Sequence, residues 1–461
     1  SMGDDDFPLH EAAHIVHGNA LRMDWNEVVP ANQCSFILGN PPFYGARMQS
    51  KQQKAEIQDV FHGSKNSGNI DYVAGWYIKA AEYMGNYPIR AAFVSTNSIC
   101  QGEQVANVWK PIYDLGVRID FAHDTFRWRN EATEQAHVYV VIVGFSKLSG
   151  KKTLFHHANP DAPEEVSNPA NINAYLAAAP DVFVWNRSKP LCDVPSIGIG
   201  NKPIDGGNYL FKDDEKKAFL AVEPKAAAYF HKWLGSNEFL NNCPRYVLWL
   251  GDKSEEELAD LPFCRERVEN VRQLRLASKS APTRKIADTP TRFHVENMPE
   301  GTSILIPEVS SEKRRYIPMG FIGPETFCSN LVRLIPNANI YHYGVLQSQF
   351  HNAWMRTVAG RLKSDYRYSG GVVYNNFVWP NPTSKQQEAI EACAQAILDT
   401  RDSYPDKSLA NLYDPDKMPA DLLAAHRALD AAVEAAYGVN FDGDEEKIVA
   451  HLFKLYAQAT A

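Results

Sequence analysis

Ser35-Phe36-Ile37-Leu38-Gly39-Asn40-Pro41-Pro42-Phe43 holds the decisive residues of this 461-residue chain. The apolar run Phe36-Ile37-Leu38 reads as a short buried strand. Two consecutive prolines follow Asn40. Each has a fixed φ and no N–H, so the backbone beyond the strand is stiff and its carbonyls lack a local partner. The Asn40 side-chain oxygen and the Pro41 carbonyl can therefore both accept from one exocyclic amine. Phe43 offers a flat face beside them, and stacking of a base on an aromatic ring contributes roughly 1–3 kcal/mol. The same four residues would also serve as a plain Asn-Pro turn.

Around this stretch the sequence alternates apolar runs with helical segments, as in an α/β sheet. Strands are expected at His14-Ile15-Val16, Phe36-Ile37-Leu38, residues 91–95, residues 118–121 and residues 137–144. The last run is apolar almost throughout, as a strand covered on both faces would be. Between them, Tyr72, Val73, Tyr77, Ala80, Ala81 and Met84 recur at helical spacing, as do Val105, Val108, Trp109, Ile112 and Leu115. Ser149-Gly150-Lys151-Lys152 ends this first domain, which spans 1–150. Residues 151–187 are rich in Pro, Asn and Ala and read as a connection, with His156-His157 on an ordinary strand edge. Residues 188–382 mix short strands, aromatics and turn dipeptides. Residues 383–461 read as helices. Ser384 with Gln387 has the spacing of a capping box. Leu422, His426, Leu429, Val433 and Tyr437 form one helical face that Gly438 stops.

Composition narrows the classes. Apolar residues make up 44% and aromatics 11%, enough for packed cores and not for a disordered chain. No run of 18 apolar residues is present, so no membrane span is expected. The seven cysteines, Cys34, Cys100, Cys192, Cys243, Cys264, Cys328 and Cys393, contain no Cys-x-x-Cys pair. That excludes a zinc ribbon, gives no disulfide framework and fits reduced thiols in the cytoplasm. Glu-x-Lys occurs at Glu215/Lys217, Glu223/Lys225 and Glu445/Lys447. Three matches in polar, helix-like contexts show how cheap the pattern is, and none is assigned to a metal.

Net charge is −8, yet the charge is uneven. Residues 265–292 carry eight Lys/Arg against three Asp/Glu; residues 383–461 carry seven against fourteen. Lys313-Arg314-Arg315 and the cluster Arg356, Arg361, Lys363 and Arg367 extend the basic middle. A local basic surface is what phosphate contact requires, whatever the whole-chain charge. Solvated surface charge is the competing explanation.

Beyond these local readings, the chain resembles the N6-adenine DNA methyltransferases, and specifically the large MmeI-like (type IIG/IIL) restriction–modification enzymes. The likeness runs through Gly18-Asn19-Ala20-Leu21-Arg22-Met23-Asp24-Trp25, Asn40-Pro41-Pro42-Phe43, Asn69-Ile70-Asp71-Tyr72-Val73 and Ala92-Phe93-Val94-Ser95-Thr96-Asn97-Ser98-Ile99. It continues in Phe121-Ala122-His123-Asp124-Thr125-Phe126-Arg127-Trp128, Ala136-His137-Val138-Tyr139, Asp205-Gly206-Gly207-Asn208, Val373-Tyr374-Asn375-Asn376-Phe377-Val378-Trp379-Pro380 and Leu412-Tyr413-Asp414-Pro415. The resemblance implies an α/β, partial class I S-adenosylmethionine-dependent methyltransferase fold. A mixed α+β target recognition domain and a C-terminal helical segment follow it. It implies methyl transfer to a flipped adenine, with Asn40, Pro41, Pro42 and Phe43 as catalytic residues and Phe126 or Trp128 as the opposite wall. It places Asn19 and Asp24 at the adenine end of the cofactor and Asp71 at the methionine end. It implies double-stranded DNA with a specific site as partner. Arg314, Arg315, Arg361, Lys363, Arg284 and Lys285 are the candidate contacts.

The glycine-rich turn that holds the cofactor pyrophosphate in such folds has no counterpart before residue 19. Gly198-Ile199-Gly200 is followed by Lys202-Pro203-Ile204-Asp205-Gly206-Gly207, which argues for a loop and not a helix opening on a phosphate. In the family order the motif lies upstream. The expectation is a chain that starts inside the methyltransferase domain and binds the cofactor weakly or not at all. Any nuclease and its Mg²⁺ would lie outside the chain. Two other readings stay open: a recognition fragment that binds DNA without catalysis, and a methyltransferase acting on RNA or protein.

Overall fold

The computed structural model describes residues 13–128, 138–362 and 364–461. It divides into two compact units, Ser1–Phe183 and Val184–Ala461.

The first unit is built on one sheet. Its elements are β1 (Phe36–Gly39), α1 (Lys51–Val60), α2 (Ala74–Met84), β2 (Arg90–Thr96), α3 (Gly102–Asp114), β3 (Arg118–Trp128), β4 (Val138–Ser146), β5 (Thr153–His157) and β6 (Glu164–Ser167). The strand order is β1-β2-β4-β3-β5-β6. β1 and β2 are parallel, with Ile37 opposite Ala91 and Gly39 opposite Phe93. β4 runs antiparallel to both β2 and β3, so β1, β2 and β3 point the same way. Gly39, Thr96 and Trp128 therefore end at one edge of the sheet, where loops of α/β folds bind ligands. The core under it is aromatic. Tyr77 of α2 lies 5.1 Å from Phe93, 5.3 Å from Trp109 and 5.2 Å from Phe145 between ring centroids. Gly144 is required where β3 and β4 approach, because a Cβ there would come within 2.0 Å of the Phe121 ring.

Several expectations change here. His14-Ile15-Val16 forms no strand, and Ile15 is 86% exposed; two β-branched residues without a neighbouring strand have no ladder to join. Phe36 and Leu38 do form a strand but are exposed, because they share one face of β1 and no other described element covers it. The strand expected at 118–121 continues to Trp128. His156 and His157 lie on β5, but β6 pairs outside it, so β5 is no edge. His156 Nδ1 is bound to Asp124 Oδ2 at 2.5 Å, and no cluster of metal-ligating groups occurs among the described residues.

The second unit opens with β7 (Gly198–Ile199), β8 (Leu210–Phe211), α4 (Asp213–Val222), β9 (Phe230–Leu234), α5 (Ser236–Asn241), β10 (Arg245–Leu248), α6 (Pro262–Leu276) and α7 (Ala281–Lys285). It continues through β11 (Ser303–Pro307), β12 (Val309–Ser310), β13 (Gly320–Ile322), β14 (Thr326–Cys328) and β15 (Val332–Pro336). Next come α8 (Ile340–Gln347), α9 (Gln349–Val358), β16 (Gly360–Leu362) and β17 (Asp365–Arg367). Three small sheets result: β14-β9-β10-β8, β13-β11-β15-β7 and β12-β17-β16. Gly198-Ile199 is a strand that opens no helix. Gly200 passes so close to β14 that a Cβ would meet the Ser329 carbonyl at 2.2 Å.

The Glu-x-Lys acids have structural partners. Glu223 accepts from the Phe263 and Cys264 amides at the start of α6 (3.0 and 2.9 Å), Glu215 accepts from Lys212 N (2.7 Å) and Glu445 pairs with Arg356 (2.7 Å).

The chain ends in α10 (Ser384–Asp402), α11 (Leu409–Leu412), α12 (Ala420–Ala436) and α13 (Glu445–Ala459). The capping box of α10 is Thr383 with Gln386, one residue before the expected pair, because Thr383 takes the extended backbone and its Oγ1 accepts from Gln386 N. Leu422, His426, Leu429 and Val433 of α12 are buried as the spacing implied, and Gly438 has φ +72°. These helices hold the preceding strands by polar contacts. Tyr316 donates to Asp430 (2.5 Å) and Arg401 donates to the Met319 carbonyl (2.6 Å). Burial pushes the Asp430 carboxyl up to about 6. No helix among the described residues is long and apolar enough to cross a membrane.

Arg275 of α6 organises its half of this unit. It is fully buried and donates to five backbone carbonyls, those of Pro203, Ile204, Ile286, Thr289 and Arg292, at 2.7–3.0 Å. A planar fork with five N–H groups suits five acceptors, and lysine has three N–H groups in another geometry. Arg275→Lys is expected to leave buried carbonyls unpaired and to lower unfolding free energy by about 3 kcal/mol or more. Denaturant titration of the two proteins measures it.

Candidate active site

Asn40 and Pro41 follow directly from β1 at the end of the sheet shared with β2 and β3. Asn40 and Pro42 are exposed, Pro41 is buried and Phe43 is half-buried. Neither the Asn40 side chain nor the Pro41 carbonyl has a hydrogen-bond partner among the described residues. Two adjacent acceptors are thus left without a protein donor, the Asn40 side chain on an exposed residue and the Pro41 carbonyl on a buried one. The Phe93 ring lies under Gly39, 3.2 Å from where a Cβ would stand, so the strand's last turn sits tight on β2.

What holds this loop comes from far along the chain. Tyr72 N donates to the Tyr44 carbonyl (2.9 Å). Asp71 Oδ1 accepts from Ala46 N (3.0 Å), and its Oδ2 accepts from the Ser98 hydroxyl. Asp71 N donates to Gln104 Oε1 (3.0 Å). Gln49 Nε2 donates to the Ile70 carbonyl (2.8 Å). The loop after Asn40 is therefore laced to residues 70–72, and through Ser98 to the end of β2.

Asn19 is drawn into the same network. Its Oδ1 accepts from Leu21 N (3.0 Å) and its Nδ2 donates to Glu56 Oε1 (3.1 Å). Glu56 also takes Arg22 at 2.6 Å, Gln52 at 3.2 Å and the Tyr72 hydroxyl. Burial by itself raises the Glu56 carboxyl; Tyr72, Gln52, Asn19 and Arg22 outweigh it and hold it below its usual range. Burial and Glu56 push the Tyr72 phenol up to about 12. Asp24 stands apart. It is exposed, accepts from Asn26 N and Nδ2 (2.9 and 3.1 Å) and is held low chiefly by that backbone N–H.

Phe126 and Trp128 lie at the end of β3, on the same edge of the sheet. Three strand spacings separate β3 from β1, roughly 14 Å, whereas Asn97 and Ser98 directly follow the adjacent β2. Glu56, Ser98 and Gln104 were not singled out from sequence. The one available signal was Glu56 beside Ile57 and Val60 on the buried side of α1, where an acid is out of place.

The arginines separate into two kinds. One kind is paired with acids of the same unit: Arg272 with Glu255 and Glu269, Arg292 with Asp252 and Glu296, Arg333 and Arg367 with Glu308, Arg356 with Glu445. Arg314, Arg315 and Arg361 gather on or beside the small sheet β12-β17-β16. Arg315 is exposed. Arg361 lies 3.6 Å over the Tyr366 ring and donates to the Ser364 carbonyl at 3.1 Å. Arg314 is half-buried, and burial lowers its pKa. Arg284 and Lys285 are exposed on α7, which packs on α6. Lys363 lies outside the described residues.

Comparison with known proteins identifies the family. Residues 2–156 match the MmeI DNA-methyltransferase domain, residues 178–381 the MmeI target recognition domain and residues 382–461 the MmeI C-terminal domain. DNA methyltransferase A of Bacillus subtilis (strain 168) is 40% identical over 458 residues, which are 98% of this chain and 51% of that protein. The solved structure of the type IIL restriction–modification enzyme MmeI in complex with DNA superposes with a TM-score of 0.87 at 45% identity, over 98% of this chain and 61% of that one. The chain thus spans about half the length of the curated relative it matches. With the DNA-methyltransferase, target recognition and C-terminal domains matched in order along almost its whole length, the chain belongs to the MmeI family.

Proposed function

We propose that this chain is the site-specific N6-adenine DNA methyltransferase portion of a cytoplasmic restriction–modification enzyme. In this reading 1–150 is the methyltransferase domain, 151–187 the connection, 188–382 the recognition domain and 383–461 the helical segment. The observation that carries it is the pair of acceptors, Asn40 Oδ1 and Pro41 C=O, that have no partner among the described residues, at the carboxyl end of a parallel strand.

An adenine amine is a poor nucleophile because its lone pair is delocalised into the ring. When both N–H bonds point at Asn40 and Pro41, the nitrogen is favoured as a tetrahedral centre and its lone pair is freed. Phe43 stacks on the flipped base and holds it in that orientation. Fixed acceptors act by orientation and electrostatics and need no rearrangement during reaction. Bound S-adenosylmethionine supplies the electrophilic methyl group. Of the residues assigned to it, Asp24 retains exposed acceptor capacity, while Asn19 and Asp71 are engaged by protein groups. Asp24 is the residue we assign to the cofactor's adenine end. Asn19 and Asp71 shape the site walls.

On the recognition domain, Arg361 is held stiff by its stack on Tyr366, as suits a guanidinium that reads a base edge. Arg315 is exposed and suits a phosphate. Arg314, Lys363, Arg284 and Lys285 are further phosphate candidates.

Three measurements test this. Asn40→Ala in the full-length protein is expected to reduce adenine methylation by well over tenfold, more than about 1.4 kcal/mol, and to leave specific DNA binding intact; activity above about a tenth of wild type removes Asn40 from catalysis. Isothermal titration with S-adenosylmethionine is expected to show weaker binding for Asp24→Ala than for the parent protein; equal affinity removes Asp24 from the cofactor site. Arg315→Ala should weaken binding to all DNA and reduce the salt slope by about one, whereas Arg361→Ala should cost roughly 1–3 kcal/mol on the cognate site only. Unchanged affinity with lowered thermal stability would make both arginines structural.

A further inference from the structure

One buried carboxylate joins the residues around the Asn40 loop, and the chemistry above does not use it. Glu56 is 6% exposed. A buried carboxylate is costly unless it is well supplied with donors. Here the Arg22 guanidinium lies 2.6 Å from Oε1, with Asn19 at 3.1 Å and Gln52 at 3.2 Å, and the Tyr72 hydroxyl donates to Oε2. These groups come from three separate places in the chain: the segment before β1, helix α1, and the turn into α2. The contact with Tyr72 has a consequence for the site. The same residue's backbone N–H holds the Tyr44 carbonyl at 2.9 Å, and its neighbour Asp71 holds Ala46 N at 3.0 Å. Glu56 is thus one residue removed from the loop that carries Asn40, Pro41 and Phe43. It touches neither open acceptor.

We propose that Glu56 is a positioning residue: through the Tyr72 hydroxyl it locks the turn at residues 70–72, and this turn fixes the Asn40–Phe43 loop for methyl transfer. The proposal rests on the methyltransferase reading and adds to it a residue that no local motif marks. An ionised carboxylate matters here because every partner is a donor. Glutamine in its place would have the same shape but would present an NH₂ to at least one donor. The lock would open without removing packing volume.

Hydrogen exchange and kinetics on the full-length protein decide it. In Glu56→Gln and in Tyr72→Phe, the Ala46 and Tyr72 amides should exchange about tenfold faster, reporting local opening. In both variants kcat for DNA methylation, measured well below each variant's melting temperature, should fall about tenfold or more with KM for DNA little changed. A merely structural tie would shift melting temperature and leave kcat alone. Exchange at those amides unchanged, or kcat unchanged, overturns the proposal. If Glu56→Gln fails to fold, Tyr72→Phe decides by the same two readouts. Asn40→Ala measured alongside separates the two ideas. If it methylates like wild type, the methyltransferase reading fails; if it is inactive while Glu56→Gln is as active and as protected as wild type, only the Glu56 role fails.

Discussion

The hydrogen bond from Tyr72 N to the Tyr44 carbonyl, with the neighbouring one from Ala46 N to Asp71, decides where the loop beyond β1 runs. Two prolines stiffen the first half of that loop but cannot aim it. A stiff segment with a free end would sweep a wide arc at little energetic cost. The turn before α2 ends that freedom, and it is itself held from three sides: by Glu56 through the Tyr72 hydroxyl, by Ser98 through Asp71, and by Gln104 through the Asp71 amide. The two open acceptors at Asn40 and Pro41 are thus presented by a loop anchored at both ends. Preorganisation of this kind is what fixed dipoles need if they are to act on a developing charge without rearranging.

Charge in the second unit obeys a different logic from charge in the sequence. An excess of arginine over acid between residues 265 and 292 looks like one basic surface. Folding spends most of those guanidiniums on the protein itself. Arg275 takes five carbonyls, Arg292 takes two acids, and Arg267 covers the Phe211 ring at 4.3 Å while donating to the Asn208 carbonyl. Many short strands and turns leave carbonyls without ladder partners, and an arginine with five N–H groups is an efficient way to satisfy them. Near the small sheet, Arg315 is exposed at the turn after β12, while Arg361 on the β16–β17 hairpin is stacked on Tyr366.

What the sequence by itself determined is local or periodic. An apolar run before two prolines specified the strand and the stiff turn that leaves Asn40. The unbroken apolar run of β4 specified a strand covered on both faces, and the 3.6-residue spacing specified the buried stripe of α12. Nine ordered blocks carried the family and, with it, the order of domains. Tertiary structure alone decided the rest. Glu56 is a clamp only because Asn19, Arg22, Gln52 and Tyr72 converge on it from three places in the chain, and Arg275 is structural only because carbonyls 11 to 72 residues away meet it. Phe36 and Leu38 are exposed because no other described element covers their face of β1, a matter of tertiary neighbours that no pattern within β1 records. The physical reason is common to all of these. Backbone propensity and side-chain periodicity are set by near neighbours, whereas the role of a charged or polar group is set by which distant partner replaces the water it gives up.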